Sequence, residues 1–160
     1  MKELQDCIQN RRSVRIYREE PVDRALIRKL IWNGCMAPSG SNIQSWQFIV
    51  ADDPELVAEL VRFSPGIGKV PPCIIILCAD RCRAFEKGGV MGRDQLSLID
   101  ISMAAENIIL SAVDHGLGTC AVRSFPAIIL QKILKLPEHI MPELLITLGY
   151  PDRIGKMPPK

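Results

Sequence analysis

Ala37-Pro38-Ser39-Gly40-Ser41-Asn42-Ile43-Gln44-Ser45-Trp46 breaks a helical pattern on its left and feeds the apolar run Phe48-Ile49-Val50-Ala51 on its right. Pro38 ends the preceding helix by removing a donor and disfavouring helical geometry at Ala37, and Gly40 admits backbone angles closed to other residues. Small side chains leave backbone N–H groups exposed here. Ser39, Ser41, Asn42, Gln44 and Ser45 add hydroxyls and amides that both donate and accept. Such a joint suits a ligand rich in carbonyls, ring nitrogens and hydroxyls, and it equally suits a capped surface loop.

The chain on either side is regular. Pro21-Val22-Asp23 starts a helix with Asp23 as its N-cap, and Leu26, Leu30 and Ile31 make an apolar stripe through residues 24–36. Residues 46–51 read as a strand. Asp53-Pro54-Glu55 opens a second helix, buried through Leu56, Leu60 and Val61. Ser64-Pro65-Gly66-Ile67-Gly68-Lys69 is loop, and Cys-Ile-Ile-Ile-Leu-Cys-Ala at 73–79 has the length and branching of a central strand covered on both sides. The polar, glycine-containing stretch 83–93 reads as a mobile surface connection. Residues 95–115 carry the longest helical pattern, a core helix with Ala104-Ala105 small enough for a close neighbour, and Gly116-Leu117-Gly118 ends it. A strand at 119–122, a helix at 126–136, a strand at 144–148 and a basic tail at 149–160 follow.

Before the opening loop, residues 2–10 put Leu4, Cys7 and Ile8 at helical spacing, and Arg11-Arg12-Ser13-Val14-Arg15-Ile16-Tyr17-Arg18 then alternates. If extended, Arg11, Ser13, Arg15 and Tyr17 share one face. Two guanidiniums flanking a hydroxyl suit an anion such as phosphate, and they also suit a solvated basic edge.

A chain of 160 residues with 48% apolar content fits a single domain, expected over 1–160, and has enough apolar residues for a genuine core. The net charge of +2 gives no reason to expect nucleic acid or an anionic membrane as partner. No apolar run reaches the roughly 18 residues of a membrane span, and the start lacks an apolar signal core, so the expected location is cytoplasmic. Six cysteines are expected as free thiols. Cys78 and Cys82 form a C-x3-C pair with no second pair at metal-ligand spacing, so no metal site is expected.

Three marks stand in order: Arg11-Arg12-Ser13-Val14-Arg15, the loop from Ala37 through Gln47-Phe48, and Gly116-Leu117-Gly118-Thr119-Cys120. With Gly149-Tyr150-Pro151 before the basic tail, they resemble the nitroreductase superfamily of FMN-dependent oxidoreductases over nearly the whole chain. The resemblance implies an α+β fold with a mixed, largely antiparallel sheet wrapped by helices, an intertwined homodimer, and two FMN sites at the interface. Arg11 and Ser13 match residues that hold the FMN phosphate, with Arg12 between them, and Arg15 matches a cation at the flavin pyrimidine edge. In the tail, Lys156 matches the phosphate-binding cation, with Arg153 and Lys160 as further candidates. Pro38, Ser39, Gly40, Ser41 and Asn42, joined by Gln44, match the loop that reaches the flavin from the other subunit. Ala121, Val122, Arg123 and Ser124 match the segment against the isoalloxazine, and Lys69 is placed there by position.

Two departures from the family pattern stand out. The polar stretch after Ala79 lies where longer relatives carry helices that wall the substrate channel, and Arg123 replaces a small residue beside the flavin. The activity implied is hydride transfer from NAD(P)H through flavin N5 to a small electrophilic acceptor, a nitroaromatic, quinone or enone, with ping-pong kinetics and no catalytic side chain. The alternatives are a flavin-binding module with little turnover and a dehalogenating or flavin-modifying relative.

Overall fold

The computed structural model describes residues 3–152. Its elements are α1 (Leu4–Asn10), α2 (Arg24–Cys35), β1 (Trp46–Ala51), α3 (Pro54–Arg62), β2 (Cys73–Asp80), α4 (Arg81–Met91), α5 (Ser97–Asp114), β3 (Gly118–Val122), α6 (Ala127–Ile133) and β4 (Ile140–Gly149). The strands form one sheet in the order β1-β2-β4-β3, and every ladder is antiparallel.

The run at 73–79 is apolar at every position because β2 lies inside the sheet with a core on each face. Cys73, Ile75, Leu77 and Ala79 pack with Ile27 and Leu30 of α2 and with Ile101, Ala105, Ile108 and Ala112 of α5. Ile74, Ile76 and Cys78 pack on the opposite face with Val57 and Leu60 of α3, Leu130 of α6 and Phe125. The period of two in a strand sorts neighbouring residues into the two cores, and the helices α2/α5 and α3/α6 close the layers.

The expected cap at Asp23 forms, and Asp53 caps the second helix in the same way. Asp23 accepts from the Ala25 amide at 2.9 Å and Asp53 from the Leu56 amide at 3.0 Å. β4 begins at Ile140, before the expected 144, although Pro142 cannot donate to a ladder. A bulge accommodates it: Leu77 pairs with Leu144 and Cys78 with Pro142, which leaves Glu143 as the extra residue.

The stretch 83–93 is not a mobile connection but helix, most of α4 followed by the start of a π-helical turn at Gly92–Leu96 that runs on into α5. Asp80 caps α4 through the Arg83 amide at 2.9 Å, Ala84 is buried, and Arg83 Nε donates to the Ile43 carbonyl at 2.9 Å. Its glycines suggested loop for the wrong reason. Gly88 leaves room for the Ile43 side chain, and Gly89, at φ +60°, kinks the helix. The continuous stretch Arg81–Asp114 is long and apolar enough by composition to cross a membrane. Burial of Ile101, Ala104, Ala105, Ile108 and Ala112 against the sheet and α2 accounts for that apolarity within the fold.

Candidate functional site

Residues 11–18 form no strand, yet they are pinned in place. The Val14 amide donates to the Thr119 carbonyl at 2.8 Å, the Arg18 amide to Tyr150 at 2.9 Å, and the Asp152 amide to Ile16 at 3.1 Å. Ser13 bridges Thr119 in parallel and Tyr17 bridges Pro151. The segment can lie this close because β3 and β4 carry glycine where it crosses: a Cβ on Gly118 would meet Val14 at 2.7 Å, and one on Gly149 would meet the Tyr17 ring at 2.9 Å. Tyr17 therefore leaves the arginine face on which strict alternation placed it. Its hydroxyl donates to the Val14 carbonyl and meets Thr147 Oγ1 at 2.6 Å, while burial pushes its pKa well up.

This anchoring leaves the basic groups of the segment available. Nε and Nη1 of Arg12 are buried with no hydrogen-bond partner among the described residues. Among the same residues no carboxylate pairs with Arg11 or Arg15, and Ser13 and Arg15 are exposed. Buried guanidinium N–H groups without an acceptor are costly, so these residues fit an anionic group that would supply one.

The neighbouring surfaces converge on the same place. A Cβ on Gly66 would run into Ser124 Oγ and meet Val122 at 3.0 Å, and Gly68 lies against the Arg15 backbone, so the loop at 64–69 closes one side. Lys69 is exposed on it. Ala121 is exposed and Val122 buried at the end of β3. Arg123 turns aside: its guanidinium lies 3.3 Å from Glu143 Oε2 and 4.9 Å from the Phe125 ring centroid. Burial raises the Glu143 pKa in spite of Arg123 and Arg81. Lys156, Arg153 and Lys160 lie outside the described residues.

The loop at 37–45 stands apart from this cluster. A 3-10 turn at Gly40–Asn42 is closed by the Asn42 amide on the Ser39 carbonyl at 3.0 Å and the Ile43 amide on Gly40 at 3.1 Å, and the Gln44 amide bonds Ser39 Oγ at 3.2 Å. Ser41, Asn42 and Gln44 all have positive φ, at 51°, 53° and 51°. Ile43 is buried beneath them, which turns Ser41, Asn42 and Gln44 outward, with Pro38 also exposed. The Gly40 amide donates to Asp100 Oδ1 at 3.0 Å, near the start of α5, whereas the arginine segment meets β3 just past the end of α5. Within one chain the two parts of the expected site are separated by roughly 20 Å of helix at 1.5 Å per residue.

Asp100 escaped the sequence reading. It is a buried acid on the apolar face of α5, beside Ile101 and one turn from Ala104, and a carboxylate within an apolar helical stripe is the signal that marks it. In the sequence Tyr17 stands out only as part of the alternation.

An α+β sandwich that offers unpaired cations at one end of its core helix and a strained amide- and hydroxyl-rich loop at the other defines a protein built to hold an anionic, hydrogen-bonding cofactor. The nitroreductase family model matches residues 8–69 and 65–150, and the chain belongs to that family. It is 31% identical over 158 residues, 94% of this chain and 87% of the other, to a protein of Archaeoglobus fulgidus provisionally named NADH dehydrogenase/NAD(P)H nitroreductase. It is 28% identical over 170 residues, 96% of this chain and 68% of the other, to a Bacillus subtilis protein named FMN reductase (NADPH). The crystal structure of a provisionally named NADH oxidase of Clostridium acetobutylicum superposes with a TM-score of 0.84 at 34% identity, covering 93% of this chain and 89% of that one.

Proposed function

We propose that the protein is an FMN-dependent oxidoreductase that takes a hydride from NAD(P)H and passes it to a small electrophilic acceptor by a ping-pong mechanism. The observation that carries this reading is the pair of buried nitrogens of Arg12, Nε and Nη1, that have no hydrogen-bond partner among the described residues, beside Arg11 and Ser13. In a member of this family, whose relatives include one named an FMN reductase, the missing acceptor is the FMN phosphate. Bound there, FMN supplies the hydride-accepting and hydride-donating centre. The protein binds and orients it. Arg11, Arg12 and Ser13 hold the phosphate, with Lys156 as the tail's cation. Arg15 puts a fixed positive charge at the pyrimidine edge, where negative charge develops on reduction, and a water-poor setting strengthens that effect. Ala121, Val122 and the backbone at Arg123 form a floor for the ring, and the pairing of Arg123 with Glu143 keeps its side chain off that floor.

The separation of the two half-sites along α5 supports a homodimer, in which Pro38, Ser39, Gly40, Ser41, Asn42 and Gln44 of one subunit complete the site of the other. An unburied apolar face is available for that contact: Leu4 and Ile8 on α1, Trp32 on α2 and Met36 just past its end are all more than half exposed. Leu4 and Met36 also line a groove of about 550 Å³ whose lining includes Leu110 and Ser111 of α5. All six cysteines are free thiols, which suits a reducing cytoplasm.

Titration with FMN and with riboflavin tests the site. FMN should bind far more tightly, and equal affinity would sink the phosphate assignment. A screen of nitroaromatic, quinone and enone acceptors against NADH and NADPH then tests the reaction; flavin-loaded protein that oxidises neither nucleotide is a binding module.

A further inference from the structure

We infer that Asp100 is a positioning residue for the flavin, its buried carboxyl fixing the loop at 38–44 in the shape that meets the ring; this rests on the flavin reading above. Asp100 is 1% exposed. Its Oδ1 accepts from the Gly40 amide at 3.0 Å, and its Oδ2 is buried with no partner among the described residues. A half-satisfied buried carboxyl is costly for the fold, and the one hydrogen bond it makes goes to this loop. Burial pushes its pKa up and the Gly40 amide pulls it back.

The loop needs such a tie. Ser41, Asn42 and Gln44 sit at positive φ without being glycine, a conformation that persists only where the surroundings impose it. The surroundings here are few. Ile43 plugs into the core, with its carbonyl held by Arg83 Nε at 2.9 Å, Ser39 Oγ holds the Gln44 amide, and Asp100 holds the first residue of the turn. A Cβ on Gly40 would meet the Leu96 side chain at 2.9 Å, so the turn already presses against the π-helical turn that leads into α5, and its amide has little freedom to turn elsewhere. Without the carboxyl the Gly40 amide loses its acceptor, the turn relaxes, and Ser39, Ser41 and Asn42 are no longer presented together. The phosphate end, some 20 Å away along α5, is untouched.

Wild type, Asp100→Ala and Asp100→Asn are titrated with FMN and with riboflavin, and hydrogen exchange is followed in flavin-free protein. Asp100→Ala should weaken both flavins by the same factor, about tenfold or more, shift the visible band of the bound flavin, and speed exchange in peptides spanning 38–45. Asp100→Asn, whose Oδ1 still accepts from Gly40, should recover most of each loss. Wild-type affinity and exchange in Asp100→Ala, a loss confined to FMN, or equal impairment of the two variants would each overturn the proposal. Should Asp100→Ala not fold, exchange of the Gly40 amide in wild type decides: slow exchange is expected, and the unprotected rate overturns it. Wild-type protein that binds neither flavin overturns the flavin reading itself, and loop exchange then still reports separately on the hold of Asp100.

Discussion

Replacing Tyr17 by Phe removes one oxygen and leaves the ring packed against Gly149. That oxygen donates to the Val14 carbonyl and bonds Thr147 Oγ1 at 2.6 Å; Thr147 keeps only a 3.4 Å contact to the Cys120 carbonyl. Two partly buried partners are left under-satisfied, and the expected destabilisation is about 1.5–3 kcal/mol. For a chain of this size that lowers Tm by roughly 3–12 °C at fixed protein concentration. The difference should also depend on pH. Burial raises the folded pKa of Tyr17 above the unfolded value near 10. Above about pH 10 the unfolded wild type can ionise this group while the folded state cannot, so its stabilising contribution is complete below that pH and wanes above it. Urea melts followed by circular dichroism from about pH 7 to pH 11 should show the gap between wild type and Tyr17→Phe narrowing at the alkaline end. A gap under about 0.5 kcal/mol at neutral pH would refute the idea that this hydroxyl pins the arginine segment.

Burial pushes the Cys73 and Cys78 thiols up to about 12. Folded neutral and unfolded ionised, each should lower stability by about 1.4 kcal/mol per pH unit above roughly pH 9, and Cys73→Ala should make that decline shallower in urea melts. Arg11→Ala should weaken FMN binding and leave the potential of any bound flavin nearly unchanged, whereas Arg15→Ala should lower the two-electron potential by about 30–60 mV; the reverse pattern in potentiometric titration would mean that the motif is placed wrongly around the ring. Sedimentation should find a dimer, and an FMN-loaded monomer at micromolar concentration would exclude a site shared between subunits. Gly118→Val should destabilise strongly, because a Cβ there already meets Val14 at 2.7 Å, and a melt unchanged from wild type would show that the segment does not cross there.

What the sequence by itself determined are the features governed by neighbours in the chain. The caps at Asp23 and Asp53, the core helix and the all-apolar central strand follow from local hydrogen-bonding chemistry and periodicity, and both survive folding unchanged. The arginine segment and the polar loop were legible as chemistry for the same reason, since residue types and spacing define what they can bind. Tertiary structure decided the rest. The stretch at 83–93 looks like loop because its three glycines have low helix propensity, yet Gly88 is there to admit the Ile43 side chain and Arg83 reaches the Ile43 carbonyl, contacts that no local window contains. β4 starts early because a bulge opposite Cys78 tolerates Pro142, a property of the pairing and not of the proline. Tyr17 turns inward because Gly149 and Thr147, some 130 residues away, receive it. Asp100 could be seen in the sequence only as a misplaced acid. Its meaning came with the Gly40 amide, which lies 60 residues distant along the chain and 3.0 Å away in space, because a buried carboxyl is defined by the one partner the fold brings to it.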